Sequence, residues 1–171
     1  RLDENALARF IDYGLDELTV SAHGVRPHTY ESFMPPASFS RLHEVLDMLT
    51  RLKEERSARR PALRINYTVN PDNLDELGDF FEVFGRYDIA TLQVRPQMDI
   101  GTTDYPHRDL REHLEVYRRV ETHLSGECRR RGVVLLFTKI DAGAGRDDTA
   151  SVILDAVYRN VSPHGLWRKD F

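Results

Sequence analysis

Two short apolar runs, Leu18-Thr-Val-Ser-Ala-His-Gly24 and Leu63-Arg-Ile-Asn-Tyr-Thr-Val-Asn70, lie on either side of one long helical pattern. Each is β-branched and ends in small, polar or turn-forming residues. The alternation continues along the chain. Leu18–Ala22, Leu63–Val69, Ile89–Val94 and Val133–Phe137 read as strands. The helices between them begin with Arg1–Tyr13, which stops at Gly14. A second is capped by Ser38 and runs through Phe39, Leu42, Val45, Leu46, Leu49 and Leu52. A third opens near Pro71 and ends near Gly85, and a fourth spans Arg108–Arg131 and is closed by Gly132. A further helix is expected over Ala150–Tyr158, followed by an irregular tail. Repeated strand–helix–strand units imply right-handed crossovers and a parallel sheet with helices outside. The loops with least expected order are Ser57–Arg60, Asp99–His107 and Asp141–Thr149.

In a parallel α/β sheet the carboxyl ends of the strands meet in one crevice, where ligands bind. Ser21 and His23 share one strand face, Asn66 and Thr68 share one face of the next, and Arg95 and Gln97 do the same after the third. Polar groups at three successive strand ends predict a ligand bearing hydroxyl, carboxylate or amine groups. Asn70 is a further candidate for that crevice.

At 171 residues the chain can bury roughly 70% of its unfolded surface in one domain. With a net charge of −4 and no basic face, nucleic acid is not expected as a partner. Nor is a membrane, because no run approaches the ~20 apolar residues of a span. No secretion signal is read, and the single cysteine, Cys128, fits a reducing compartment, so a cytoplasmic location is expected. The Asn66-Tyr67-Thr68 and Asn160-Val161-Ser162 sequons then carry no meaning. Arg1 is not an initiator Met and already lies in a helical pattern, so the chain reads as a segment of something longer.

Four local motifs fail on chemistry. His107-Arg108-Asp109-Leu110 copies the start of a kinase catalytic loop, but position 114 is Leu where the second metal ligand should be Asn. Asp109 instead reads as a helix N-terminus. Gly143-Ala-Gly145 lacks the third glycine of a dinucleotide loop and holds Asp148 there. The pairs His23/His28 and His107/His113 lack the i, i+4 spacing of a helical metal site, and no metal is assigned to this chain. Ser21 and His23 have no acid partner or oxyanion loop, so a serine hydrolase is not supported.

Thr19-Val-Ser-Ala-His-Gly24, then Tyr30-Glu31, then Ser38-Phe39 opening a long helix, resembles the fourth strand and fourth helix of radical S-adenosylmethionine (SAM) enzymes. The family pattern there is V-S-L-H/D-G, an H/Y-E/D pair and G-S-F. Arg64-Ile-Asn-Tyr-Thr-Val-Asn70 with Asn73-Leu-Asp-Glu-Leu77 is similar to the fifth strand and the N-x-x-E-L start of the fifth helix. Ala90–Met98 resembles the sixth strand. The likeness spans residues 1–140; residues 141–171 form a loop, helix and tail.

The resemblance implies an α/β fold, the C-terminal half of a partial (β/α)6 TIM-type barrel. Three to four parallel strands would carry helices on the outer face. It implies SAM and a 4Fe-4S cluster as cofactors of the full-length parent, which would make a 5′-deoxyadenosyl radical from them. The cluster motif C-x3-C-x2-C is absent here, so the chain binds no cluster and is expected to be inactive alone, with no catalytic residue assigned. Carried over by position, Ser21 and Asn66 would contact SAM, and Arg95 would face substrate or the SAM carboxylate. His23 and Thr68 join them as candidate cofactor-binding residues. The arginine that many members carry after the H/Y-E/D pair is replaced by Phe33-Met34, and Arg26 is the candidate substitute.

The implied partners are the missing N-terminal half of the barrel and a small-molecule or peptide substrate. An exposed first strand and an apolar inner face predict self-association through the sheet, or cover from the aromatic, cationic tail Tyr158–Phe171. The alternative function is a non-catalytic α/β module that binds a small ligand or partner. An aldolase-like fragment is disfavoured because no lysine lies in a strand, Lys139 being nearest.

Overall fold

The computed structural model describes residues 2–97 and 109–140. The loop expectations for Asp99–His107 and Asp141–Thr149, the helix over Ala150–Tyr158 and the tail lie outside the described residues.

The chain opens with α1 (Glu4–Asp12), capped by the Asp3 carboxylate on the Ala6 amide, and enters β1 (Glu17–Ser21). Helices α2 (Pro27–Phe33) and α3 (Phe39–Glu55) follow, then β2 (Ala62–Val69). A 3-10 turn at Asp75–Asp79 runs into the short α4 (Phe80–Phe84) and then β3 (Ile89–Pro96). A second 3-10 turn, Leu110–His113, leads into α5 (Leu114–Arg131) and β4 (Val134–Phe137). The four strands form one sheet in the order β1-β2-β3-β4, all parallel. The fold is the expected one: α/β, with a parallel sheet in chain order and helices on its outer face, as in a partial β/α barrel.

Burial in β2 alternates without exception. Leu63, Ile65, Tyr67 and Val69 are buried, while Ala62, Arg64, Asn66 and Thr68 are half-exposed. Fully parallel sheets usually bury both faces in continuous apolar runs. Here one face is apolar and packs on α3, α4 and α5 through Leu46, Leu49, Phe80, Phe84, Tyr117 and Leu124. The other face is polar.

A bulge in β3 keeps that face continuous. Leu63 pairs with Ile89, but Arg64 pairs with Thr91, so Ala90 is the extra residue. Ile89 then joins the helix side, and Thr91, Gln93 and Arg95 join Arg64, Asn66 and Thr68 on the concave side. The expected apolar inner face is therefore corrected. On β1 to β3 its inward positions are Glu17, Thr19, Ser21, Arg64, Asn66, Thr68, Thr91, Gln93 and Arg95. Apolar groups there are Ala62 at the start of β2 and the exposed Val134 and Leu136 of β4.

Three segments depart from the sequence reading. Residues 27–33 form a helix, to which the sequence reading assigned no element. Pro27 supplies its N1 position, and it buries only Thr29 and Tyr30, too few to write a helical stripe. The helix expected from Pro71 to Gly85 is a turn followed by two short helical pieces. The Asn70 side chain accepts from the Asp72 amide, and the Asn73 side chain accepts from the Asn70 amide. Such side chains offer the backbone an alternative to helix. Where a helix over Arg108–Arg131 was expected, the 3-10 turn Leu110–His113, with the Asp109 carboxylate accepting from the Arg111 amide at 2.8 Å, precedes α5, which Gly132 closes with φ of 71°. The Ser57–Arg60 loop is tied back by the Ser57 and Ala58 amides, which donate to Glu54 and Lys53 carbonyls.

Among the described residues, no helix is long and apolar enough to cross a membrane.

Candidate functional site

The concave face is built in rows by strand register. Ser21 pairs with Asn66 and Asn66 with Gln93, with Leu136 beyond. One step toward the carboxyl ends, Thr68 pairs with Arg95, and the Thr68 amide donates to Nδ1 of His23 at 3.0 Å. The rim continues with Asn70, whose Nδ2 donates to Gln97 Oε1 at 3.1 Å. Of the five predicted site residues, Ser21, Asn66, Thr68 and Arg95 lie on one face at the carboxyl half of the sheet, and His23, two residues past β1, meets them through the Thr68 amide.

His23 is fixed in one tautomer. A backbone amide can only donate, so Nδ1 accepts and the ring proton sits on Nε2. Burial first, and then the nearby Arg95 charge, push the imidazole down to about 4. His23 is therefore neutral at physiological pH and presents an N–H donor.

Asn66 carries the clearest unmet need. Its Oδ1 is buried and has no hydrogen-bond partner among the described residues. Native proteins satisfy most buried polar atoms, so such an atom marks a place where a partner is required. Arg95 is exposed at the rim. Arg26 lies 3.8 Å from Glu76 and 3.6 Å from Asp79, so its charge already has two carboxylate neighbours.

A buried clamp holds this rim in shape. Fully buried Asn73 donates from Nδ2 to the His23 carbonyl at 2.9 Å and the Thr68 carbonyl at 3.0 Å, and its Oδ1 accepts from the Asn70 amide at 2.8 Å. Tyr67 donates to the Asn73 carbonyl at 3.2 Å. Burial, with Glu76 close by, raises the Tyr67 phenol well above its usual range. Glu76 accepts from the Val25 amide at 2.8 Å and from the Thr29 hydroxyl at 3.0 Å. Asn73 and Glu76 thus join the loop after β2 to the loop after β1. Glu31 accepts from the Phe39 amide at 3.0 Å and so links α2 to the start of α3.

Gly24 belongs to the same junction. A Cβ there would sit 2.6 Å from the Tyr30 amide nitrogen, a backbone atom that cannot swing away. Gly24→Ala should therefore destabilise the protein by about 1–3 kcal/mol. A midpoint of urea unfolding equal to wild type would show that α2 has more room than this packing allows.

The sequence reading missed Gln93 and Arg64 on the concave face. The period-two pattern Thr91, Gln93, Arg95 was available as a signal for the first, but the bulge at Ala90 hides which face that pattern joins.

Among the described residues, no group of three His, Cys, Asp or Glu side chains converges to hold a metal. Cys128 is buried in α5, and burial, partly opposed by Arg131, raises its thiol to about 11. A buried, protonated thiol is an inert one. The residues present do not fit an iron–sulfur cluster. For SAM, the Ser21 hydroxyl, the unpaired Asn66 oxygen and the polar rim are a suitable donor and acceptor set. A concavity of about 380 Å³ lies elsewhere, between the end of α3 and the start of β2, lined by Lys53, Ser57 and Asp88. That is the amino end of the sheet, which in β/α folds serves stability more than chemistry.

No family model matches the chain, and no curated protein matches it.

Proposed function

We propose that this chain is the cofactor- and substrate-facing wall of a radical SAM enzyme, the C-terminal half of its core barrel. The observation that carries the reading is the Ser21–Asn66–Gln93 row, with the buried, unpaired Asn66 oxygen, on the polar face of a parallel sheet. A polar concave face suits a barrel interior that receives a polar ligand.

In this reading Ser21 and Asn66 hold SAM, and the neutral His23 offers its Nε2 proton as a hydrogen-bond donor beside it. Arg95 meets an acid group at the rim. Asn73 and Glu76 position the two loops that carry these groups. SAM bound to a reduced cluster elsewhere in the parent protein would supply a 5′-deoxyadenosyl radical, and the cluster's thiolates would come from the N-terminal half of the barrel.

The test is anaerobic reconstitution with iron and sulfide. The 171-residue chain should acquire no cluster and cleave no SAM, since one thiolate cannot replace three. The full-length parent should yield 5′-deoxyadenosine. In that parent Asn66→Ala should weaken SAM binding by about 1–3 kcal/mol, and Ser21→Ala should act in the same direction. Unchanged affinity in both variants would remove the residue assignments. A parent with a loaded cluster and no 5′-deoxyadenosine would favour a non-catalytic module that binds a small ligand.

A further inference from the structure

One row below Asn66, toward the amino ends of the strands, Thr19, Arg64 and Thr91 lie in register across β1, β2 and β3. The Arg64 side chain is half-buried, and its guanidinium has Glu17 as a neighbour of opposite charge at 3.0 Å from Nη2. Its Nε is buried with no partner. Thr19 donates to the same Glu17 at 3.4 Å, so Glu17 is held from two sides and in turn orients the arginine. The guanidinium has five donors in a planar fork that matches a carboxylate. The buried Nε donor has no acceptor among the described residues. A guanidinium on a sheet face with a buried donor unpaired is suited to receive an acceptor that carries negative charge.

We propose that this row binds the carboxylate of an organic acid, with Arg64 as the residue that selects for it. The inference rests on reading the concave face as a ligand site, and it adds the chemical class of the ligand. A carboxylate suits the position better than a phosphate dianion, because Glu17 lies against the same guanidinium and repels a dianion about twice as strongly as a monoanion. Arg64 is distinct from the Arg95 rim: Thr68, not Arg64, is the register partner of Arg95, four residues further along β2.

The probe is acetate, with acetamide as its neutral match, added to the 15N-labelled protein. The readout is the Arg64 Nε–Hε resonance, identified by its absence in Arg64→Gln. Acetate should move that resonance saturably, and acetamide should bind at least tenfold more weakly. Arg64→Gln should abolish the acetate response at the Thr19 and Thr91 amides, whereas Arg95→Gln should retain it. Arg64→Lys, which keeps the charge without the fork, should bind at least fivefold more weakly. An Arg64 resonance that acetate does not move would overturn the proposal, as would equal responses to acetate and acetamide. Inorganic phosphate binding more tightly than acetate would overturn the assignment to a carboxylate. Failure of the parent protein to bind SAM, with the acetate response intact, would end the radical reading and leave the acid-binding row standing.

Discussion

Asn73→Ala should lower the stability of the protein by about 3 kcal/mol or more, among the larger losses available from a surface-distant polar residue. The side chain is fully buried and makes three hydrogen bonds that close within 3.0 Å. Each is worth on the order of 1 kcal/mol net, and its removal also leaves the His23 and Thr68 carbonyls and the Asn70 amide short of a partner. Urea unfolding with an unchanged slope is the measurement. Asn73→Asp is the sharper control. It keeps an acceptor for the Asn70 amide but turns both donors into acceptors that face carbonyl oxygens, so it should cost at least as much as alanine. Tyr67→Phe removes only the outer bond to the Asn73 carbonyl and should cost about 1 kcal/mol. A loss below 1 kcal/mol for Asn73→Ala would show that water replaces the clamp.

This clamp shows what could be read from residues alone and what could not. The alternation in Leu63–Val69 is a local, period-two signal, so the strand, its buried face and the common face of Asn66 and Thr68 were all legible. The same parity argument joined Ser21 to His23. It stalled at β3, because one extra residue at Ala90 moves Ile89 and Thr91 to opposite faces, and no local pattern announces a bulge. Hence Gln93 was not recognised as a neighbour of the predicted site, whereas Arg64 shares the parity of Asn66 and was legible from the alternation in β2. The apolar inner face failed for a related reason: past Ala62, the inward positions of β1 to β3 are the polar half of each alternation, and β4 turns Val134 and Leu136 that way. Asn73 and Glu76 read as the start of a helix, but both act through tertiary hydrogen bonds, to residues 45 or more positions away in three of their bonds. Helix α2 was missed because its place is set by Thr29 on Glu76 and by the close approach of Gly24, not by an apolar stripe.

Stability should fall as the pH drops from 6.5 toward 4, and His23 should account for up to about 3 kcal/mol of that fall. The sign follows from proton counting. In the unfolded chain the imidazole takes up a proton near pH 6.5, whereas in the folded protein burial and Arg95 delay that to about 4. Between these values the unfolded state binds more protons, so stability rises with pH across the window and is fully present above it. A proton on Nδ1 would also oppose the Thr68 amide that now donates to it. His43 shifts in the same direction, through burial and then Arg86, with Asp47 opposing, so the raw pH profile contains both rings. The His23 share is isolated by His23→Gln, which does not titrate: its profile subtracted from wild type should slope only between about 4 and 6.5. Arg95→Gln removes the smaller cause and should shift the lower end of that window upward, leaving burial to hold the imidazole neutral. Parallel profiles for wild type and His23→Gln would mean that the ring takes its proton as readily in the folded protein as in the unfolded one. The neutral Nε2 donor on which the reading of this face depends would then exist only above the ordinary histidine range.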